Sequence, residues 1–193
     1  MNDKVKILAF AGSTRTGSWN KKVIRVAAET AVKAGADVTL IDLRDYPMPL
    51  FDGDLEDREG VPENGKKFKQ LLKENQGLLI CTPEYNSSLP AVLKNAIDWA
   101  SREETGEKPL ACFENKIAGI LSASPGALGG LRSLTTLRAI LGNIKVMVIP
   151  EQLAVSKADE AFDDNGSLKD ERRQKTIETI TAKLVSVIQK MNA

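Results

Sequence analysis

Residues 77–100 read GLLICTPEYNSSLPAVLKNAIDWA, and this stretch decides the fold. Gly77 to Thr82 is almost continuously apolar, which is the composition of a strand buried on both faces rather than one that alternates between core and water. Pro83 closes it. Beyond the polar run Glu84 to Ser88 the period changes, and Val92, Leu93, Ala96, Ile97 and Ala100 recur at helical spacing. Ser88 is the expected N-cap, with Pro90 in the first turn, where its missing N–H costs nothing. A doubly buried strand that leads through a short loop into an amphipathic helix is one unit of a parallel sheet.

The same alternation extends in both directions. Upstream, Val5 to Ala11 forms a strand closed by Gly12, a helix runs from Asn20 to a cap at Gly35, and Asp37 to Leu43 forms the second strand. A long connection, 44–61, carries Pro47, Pro49, Gly53 and Gly60. Pro62 then starts a helix with Phe68, Leu71 and Leu72 inside and Lys66, Lys67, Lys69 and Lys73 on a solvated face. Downstream come a polar loop (102–114), a fourth strand (Lys116 to Leu121), a small-residue loop (Ser122 to Gly130, SASPGALGG) and a helix marked by Leu131, Leu134, Leu137 and Leu141. Lys145 to Ile149 is the fifth strand, 150–168 reads as irregular, and a last helix runs from about Lys169 to Met191. Five strands separated by helices imply right-handed crossovers and a single three-layer α/β domain spanning 1–193. The common strand order for such a sheet, 2-1-3-4-5, puts the ligand crevice at the carboxyl ends of strands 1 and 3.

Composition narrows the chemistry. Apolar residues make up 42% of the 193 and charged ones 27%, a globular profile that excludes disordered, collagen-like and membrane-spanning classes. There is no histidine, so Ser-His-Asp and Cys-His mechanisms and the usual zinc sites are excluded. A net charge of +1, from 27 basic and 26 acidic residues, argues against a nucleic-acid partner. Cys81 and Cys112 are too few for a zinc ribbon or an iron–sulfur cluster and suit a reducing compartment. The start of the chain has no signal-like pattern and no long apolar run appears anywhere, so a cytoplasmic address without a membrane span is expected.

Three loops meet at the expected crevice. The first, Gly12-Ser13-Thr14-Arg15-Thr16-Gly17-Ser18-Trp19-Asn20, combines a helix N-terminus, four hydroxyls and an arginine, which reads either as a phosphate cradle or as a Ser/Thr-rich capped turn. Gly12 and Gly17 are spaced as in a P-loop, but Ser18 and Trp19 replace its Lys and Ser/Thr, which argues against nucleoside triphosphate hydrolysis. The second, Thr82 to Ser88, suits a flat heteroaromatic ring through Pro83, Tyr85 and Asn86, or else is a helix cap with Tyr85 as ordinary packing. The third, Ser122 to Gly130, lets backbone approach a ligand closely at Gly126, Gly129 and Gly130.

These residues carry a resemblance. Gly12 to Asn20 resembles the GSxRxxSxN opening of the NADPH-dependent FMN reductase family, and Thr82-Pro83-Glu84-Tyr85-Asn86 followed by Leu93 to Trp99 is similar to its TPEYN and LKNAIDW segments. Pro49 to Asp52 and Ser124 to Gly130 also match, and the resemblance extends over residues 5 to about 150. It implies a flavodoxin-like sandwich, bound FMN, and NADPH or NADH as electron donor. By position, it implies cofactor contacts at Ser13, Arg15, Thr16, Gly17, Ser18, Trp19 and Asn20, at Pro83, Glu84, Tyr85 and Asn86, and at Ser122, Ser124 and Gly126.

The absent histidine fits that implication, because flavin N5 accepts hydride and no side chain need act as acid or base for that half reaction. The expected activity is ping-pong transfer from NAD(P)H to a small-molecule acceptor such as a quinone, azo compound, chromate or free flavin, in a homodimer or homotetramer. The alternative is a flavodoxin-type FMN carrier without a nicotinamide site, which a strongly acidic surface would favour and the neutral balance does not. Other features have plainer readings. Asp163-Asp164-Asn165-Gly166 is a turn rather than a calcium loop, since Ala161 and Arg172 would stand at its end ligands. Trp99 packs the core or a subunit interface, the interface being favoured because the resembling proteins are oligomers. Cys81 reads as an inert, small apolar side chain at a strand end.

Overall fold

A computed structural model describes residues 4–191. Its five strands are β1 (Lys6–Ala11), β2 (Asp37–Asp42), β3 (Gly77–Thr82), β4 (Ile117–Ala123) and β5 (Met147–Val155), all parallel, in the order β2-β1-β3-β4-β5. Helices α1 (Trp19–Lys33) and α6 (Glu171–Met191) cover one face, and α3 (Glu63–Glu74), α4 (Ala91–Ala100) and α5 (Leu131–Asn143) cover the other. Side-chain alternation along the central strands feeds two cores. Ile7, Ala9, Leu79 and Cys81 pack toward α1 and α6, whereas Leu8, Phe10, Leu78 and Ile80 pack toward the other three helices. The sheet is therefore flavodoxin-like, with the expected strand order.

Several expectations are corrected. The connection 44–61 contains a 3₁₀ turn at Leu43–Asp45 and a short helix, α2 (Gly53–Glu59). The second of these is capped by the Asp52 carboxylate on the Asp54 N–H and stopped at Gly60, which has φ +73°. It has no buried residue, so no apolar period betrays it. β5 continues to Val155, and Pro150 falls in a break of its register with β4, between the pairs Ala118–Val148 and Ile120–Gln152, where no ladder bond is asked of it. α4 begins at Ala91 behind Pro90, and Ser88 is not its cap. Trp99 is fully buried within its own chain, its indole N–H donating to Pro49 O at 2.8 Å and its ring set edge-on to Phe51, so it is a core residue. Lys69 leaves the solvated face and is 1% exposed.

Its burial has a cause. The Lys69 ammonium donates to Arg102 O and to the Glu107 carboxylate, both at 2.7 Å, and lies 2.9 Å from Glu104. Lys73 also pairs with Glu107. Together these contacts tie the 102–114 loop to α3, with Cys112 and Phe113 buried beneath it. Desolvation opposes the Lys69 charge, but its hydrogen bonds to Glu107 and Glu104 outweigh that and raise its pKa. Burial likewise pushes Glu107 up, and its bonds to Lys69 and Lys73 more than offset this, bringing its pKa to about 2. Among the described residues no helix is long and apolar enough to cross a membrane.

Candidate functional site

The strand register sets the stage. Ala11 lies opposite Cys81 and Thr82 opposite Ser122, so the loops after β1, β3 and β4 leave the sheet at one level. α1 and α4 then depart toward opposite faces, which parts the first two loops and opens a crevice between them.

The first loop is held close to β3 by the Gly12 N–H, which donates to Cys81 O at 2.9 Å. A Cβ on Gly12 would lie 2.8 Å from Leu93 Cδ2 and 3.0 Å from Leu93 Cβ of α4, so any larger residue would push Leu93 aside. Ser13 and Ser18 are buried, and Ser18 stands at the N-cap of α1 without making a side-chain cap bond. The first turn of α1 carries no acidic residue. Arg15 is exposed, and its guanidinium has no hydrogen-bond or carboxylate partner among the described residues. Free first-turn amides, an uncommitted hydroxyl and an unpaired guanidinium without a local carboxylate are what an oxyanion requires.

Asn20 sits beneath this loop and joins three elements. Its Nδ2 donates to Ala123 O at 2.9 Å, while its Oδ1 accepts from Ala123 N–H at 2.9 Å and from the Cys81 thiol at 3.1 Å. The side-chain amide thus completes the hydrogen bonding of the β4 terminus and fixes the start of α1 to it. Burial raises the Cys81 thiol well above its usual pKa, and in that form it donates.

The second loop folds into a two-residue turn, Tyr85 N–H to Ser88 O at 3.0 Å and Ser88 N–H to Tyr85 O at 3.1 Å. Asn86 (φ 50°) and Ser87 (φ 68°) both adopt the left-handed region. The turn holds Tyr85 outward, 56% exposed. Glu84, by contrast, is pinned. Its Oε1 accepts from Arg132 Nε at 2.6 Å and its Oε2 from the Arg132 N–H at 3.1 Å, at the start of α5. The third loop is anchored to the end of β5 by Ser124 N–H to Val155 O at 3.1 Å and by close approach at Gly129, where a Cβ would meet Ser156 N at 2.6 Å.

Ser13, Arg15, Ser18, Trp19, Asn20, Pro83, Glu84, Tyr85 and Ser124 line one cavity of about 150 Å³ together with Ala123 and Pro125. It adjoins a second, of about 510 Å³, to which Asn86 and Gly126 belong and with which it shares Glu84 and Ser124. Thr16 and Gly17 face away from both, on the outer side of the first loop. Ser122 is fully buried, its hydroxyl donating to Gly129 O at 2.8 Å, and it lines neither. Sequence reasoning does not single out Arg132, which neutralises Glu84, or Arg44, whose guanidinium donates to Thr14 O and steadies the first loop. Both are lone arginines just past a glycine pair or a strand end, with no periodic signal. At the rim, Trp19 stacks on Phe162 (6.2 Å, 8° between planes) with the Lys22 ammonium above it.

The family model described as NADPH-dependent FMN reductase matches residues 5–160. The chain belongs to that family. An NAD(P)H-dependent FMN reductase of Pseudomonas aeruginosa is 36% identical over 179 residues, covering 92% of each chain. A quinone reductase of Escherichia coli is 33% identical over 188 residues, covering 96% of this chain and 95% of that one. Among solved structures, the flavoenzyme NAD(P)H:(acceptor) oxidoreductase of Paracoccus denitrificans superposes with a TM-score of 0.81 at 27% identity, covering 96% of this chain and 98% of that one. An archaeal flavodoxin shares the fold at a TM-score of 0.62 and 8% identity, covering 96% and 99%. This family member therefore combines the family sheet with an oxyanion-ready first loop and an exposed tyrosine opposite it.

Proposed function

We propose that the chain is an FMN-dependent NAD(P)H oxidoreductase that reduces quinones and related small acceptors by a ping-pong cycle. The observation that carries this reading is the shared cavity, where free amides, Ser18 and unpaired Arg15 stand on one side and the Tyr85 turn on the other. The residues fit the cofactor. Arg15, Ser13, Ser18 and the first-turn amides would hold a phosphate, Pro83 and Tyr85 would flank the ring system, and Ser124 and Gly126 would border its polar edge. When bound, FMN supplies the hydride-accepting N5 and passes the electrons on.

The protein's own part is to bind and to orient. Asn20 keeps the first and third loops in register, and the Tyr85–Ser88 turn holds the ring wall rigid. Glu84 lines the cavity as a carboxylate already neutralised by Arg132, so it does not repel an anionic cofactor. Azo compounds, chromate and free flavin belong to the same proposal as alternative acceptors. Large exposed apolar side chains at Leu50, Tyr85 and Leu131 support a homodimer or homotetramer. The two free thiols suit the cytoplasm.

The test is a visible spectrum of the purified chain with FMN, before and after anaerobic NADPH. The expected result is a bound flavin that bleaches on reduction; a chain that takes up no FMN refutes the reading, and a bound flavin that NADPH cannot reduce points to a carrier. Arg15→Ala is expected to weaken FMN retention by about 1 to 3 kcal/mol, the scale of a lost charge-assisted contact. Unchanged affinity would remove Arg15 from the cradle.

A further inference from the structure

At the amino ends of the strands, the opposite edge of the sheet from the crevice, a cavity of about 410 Å³ opens between the segments that lead into β3 and β4 and the last turn of α6. Lys116 lines it, one residue before β4, and is 7% exposed. Its ammonium donates to Asn75 O at 2.5 Å, the carbonyl of the residue that caps the C-terminus of α3. A helix C-terminus favours a cation, but a carbonyl supplies no full counter-charge.

The carboxylates nearby are committed elsewhere. Glu114, which lines the same cavity, accepts from Lys145 at 3.0 Å, and Glu107 is taken by Lys69 and Lys73. Lys73 brings a second cation from α3 to the lining, while Ile188 and Met191 of α6 bring no charge. The Cys112 thiol is close enough to favour the ammonium, yet burial raises its own pKa and keeps it neutral in ordinary buffers. Among the described residues Lys116 therefore has no carboxylate within ion-pair distance.

Lys69 shows what a partner does. It is buried more deeply, at 1% exposed, and its bonds to two carboxylates still raise its pKa. At Lys116 burial is opposed by Cys112 alone, and the pKa is lowered. An ammonium that gives up its proton early leaves an amine lone pair, and desolvation beside another cation is the setting in which lysine becomes a nucleophile.

We propose that Lys116 is a modification site, taking the acyl group of a small acyl phosphate that enters this cavity. The acyl carbonyl gives the amine its target, and the phosphate carries its negative charge toward Lys73. The amine nitrogen attacks the carbonyl carbon, so that a C–N bond forms and the C–O bond to phosphate breaks. Phosphate leaves with that electron pair and takes up the proton the nitrogen loses. The resulting amide keeps an N–H for Asn75 O and has no charge to desolvate, so burial favours the product. No step involves the flavin, and the site is independent of the oxidoreductase reading.

The experiment incubates the purified full chain, with FMN present, with acetyl phosphate over a series of pH values and reads acetylation at each lysine by peptide mass spectrometry. At neutral pH Lys116 is expected to acquire the label about threefold faster, or more, than the exposed Lys33 and Lys183, and its rate should level off at lower pH than theirs. Gln76→Glu keeps the oxygen that accepts from the Lys6 N–H and sets a carboxylate in the cavity lining. It should slow Lys116 about threefold and move its profile to higher pH, with Lys33 unchanged. Labelling of Lys116 no faster than of Lys33 and Lys183 overturns the proposal. So does labelling of Lys116 that appears only once the chain is unfolded in urea, or a Lys116 profile that Gln76→Glu leaves where it was.

Discussion

Two loops of this molecule are tied down by buried polar side chains, and the ties differ in kind. Beneath the cavity of the first loop a neutral amide, Asn20, bonds to both backbone groups of Ala123 and to the Cys81 thiol. Behind the 102–114 loop the tie is ionic, with Lys69 and Lys73 against Glu104 and Glu107. The neutral tie has no charge to desolvate and no proton to lose in ordinary buffers. The ionic one draws on opposite charges and responds to pH at both ends of the scale. The Asn20 tie is thereby insensitive to acid and base, whereas the fastening of the 102–114 loop is not.

The largest effect that would test the contrast is Lys69→Met. It removes the cation and leaves two carboxylates facing each other in a half-buried site, so a loss of about 3 to 4 kcal/mol is expected from urea unfolding at pH 7. A loss below about 1 kcal/mol would show that the ion pairs are balanced by their desolvation. Acid should act on the same tie next. Glu107 has a folded pKa of about 2 against an ordinary 4.5, so its contribution is complete above pH 4.5 and disappears as pH falls through 2, on the order of 3 kcal/mol in all. Hydrogen exchange should report this locally, with amides of the 102–114 loop losing protection across that range while the Ala123 N–H keeps its own. Equal loss at both places would erase the distinction.

On the neutral side, Asn20→Ala leaves the Ala123 N–H and C=O unpaired in a buried setting. The expected cost is about 2 to 3 kcal/mol, independent of pH between about 5 and 9, with FMN affinity falling as well. A stable variant that still binds FMN normally would reduce Asn20 to a bystander. The smallest effect belongs to Cys81→Ala, below about 1 kcal/mol, because the thiol is a weak donor and Asn20 Oδ1 retains the Ala123 N–H. A larger loss would show that the sulfur fills space the cradle needs.

Much of this architecture is legible in the amino-acid sequence. The doubly apolar run Gly77–Thr82 announces a central strand, and its continuation through Pro83 and Tyr85 announces a loop at the end of it. That Ser13, Arg15 and Ser18 line one cavity is legible from their place between strand and helix. What escapes depends on partners far away in the chain. Lys69 repeats with the surface lysines of its helix and is buried only because Glu104 and Glu107 come to meet it. Trp99 looks suited to an interface until the 44–61 connection covers it with Pro49 and Phe51. The pairing of Glu84 with Arg132, 48 residues on, is likewise written nowhere in the local sequence. α2 is hidden for another reason, since a short helix without a buried face leaves only its Asp52 cap and Gly60 stop as signals.

The chain has two tryptophans, and the fold has given them separate posts. Trp19 stacks with Phe162 at the lip of the cradle, and Trp99 is sealed beneath Pro49 and Phe51 on the other side of the sheet. They amount to two indigenous fluorophores, one at the first-loop cavity and one beneath the long connection after β2. Replacing either with phenylalanine isolates the other signal, so a single stopped-flow trace can tell loading of the flavin apart from loosening of the scaffold.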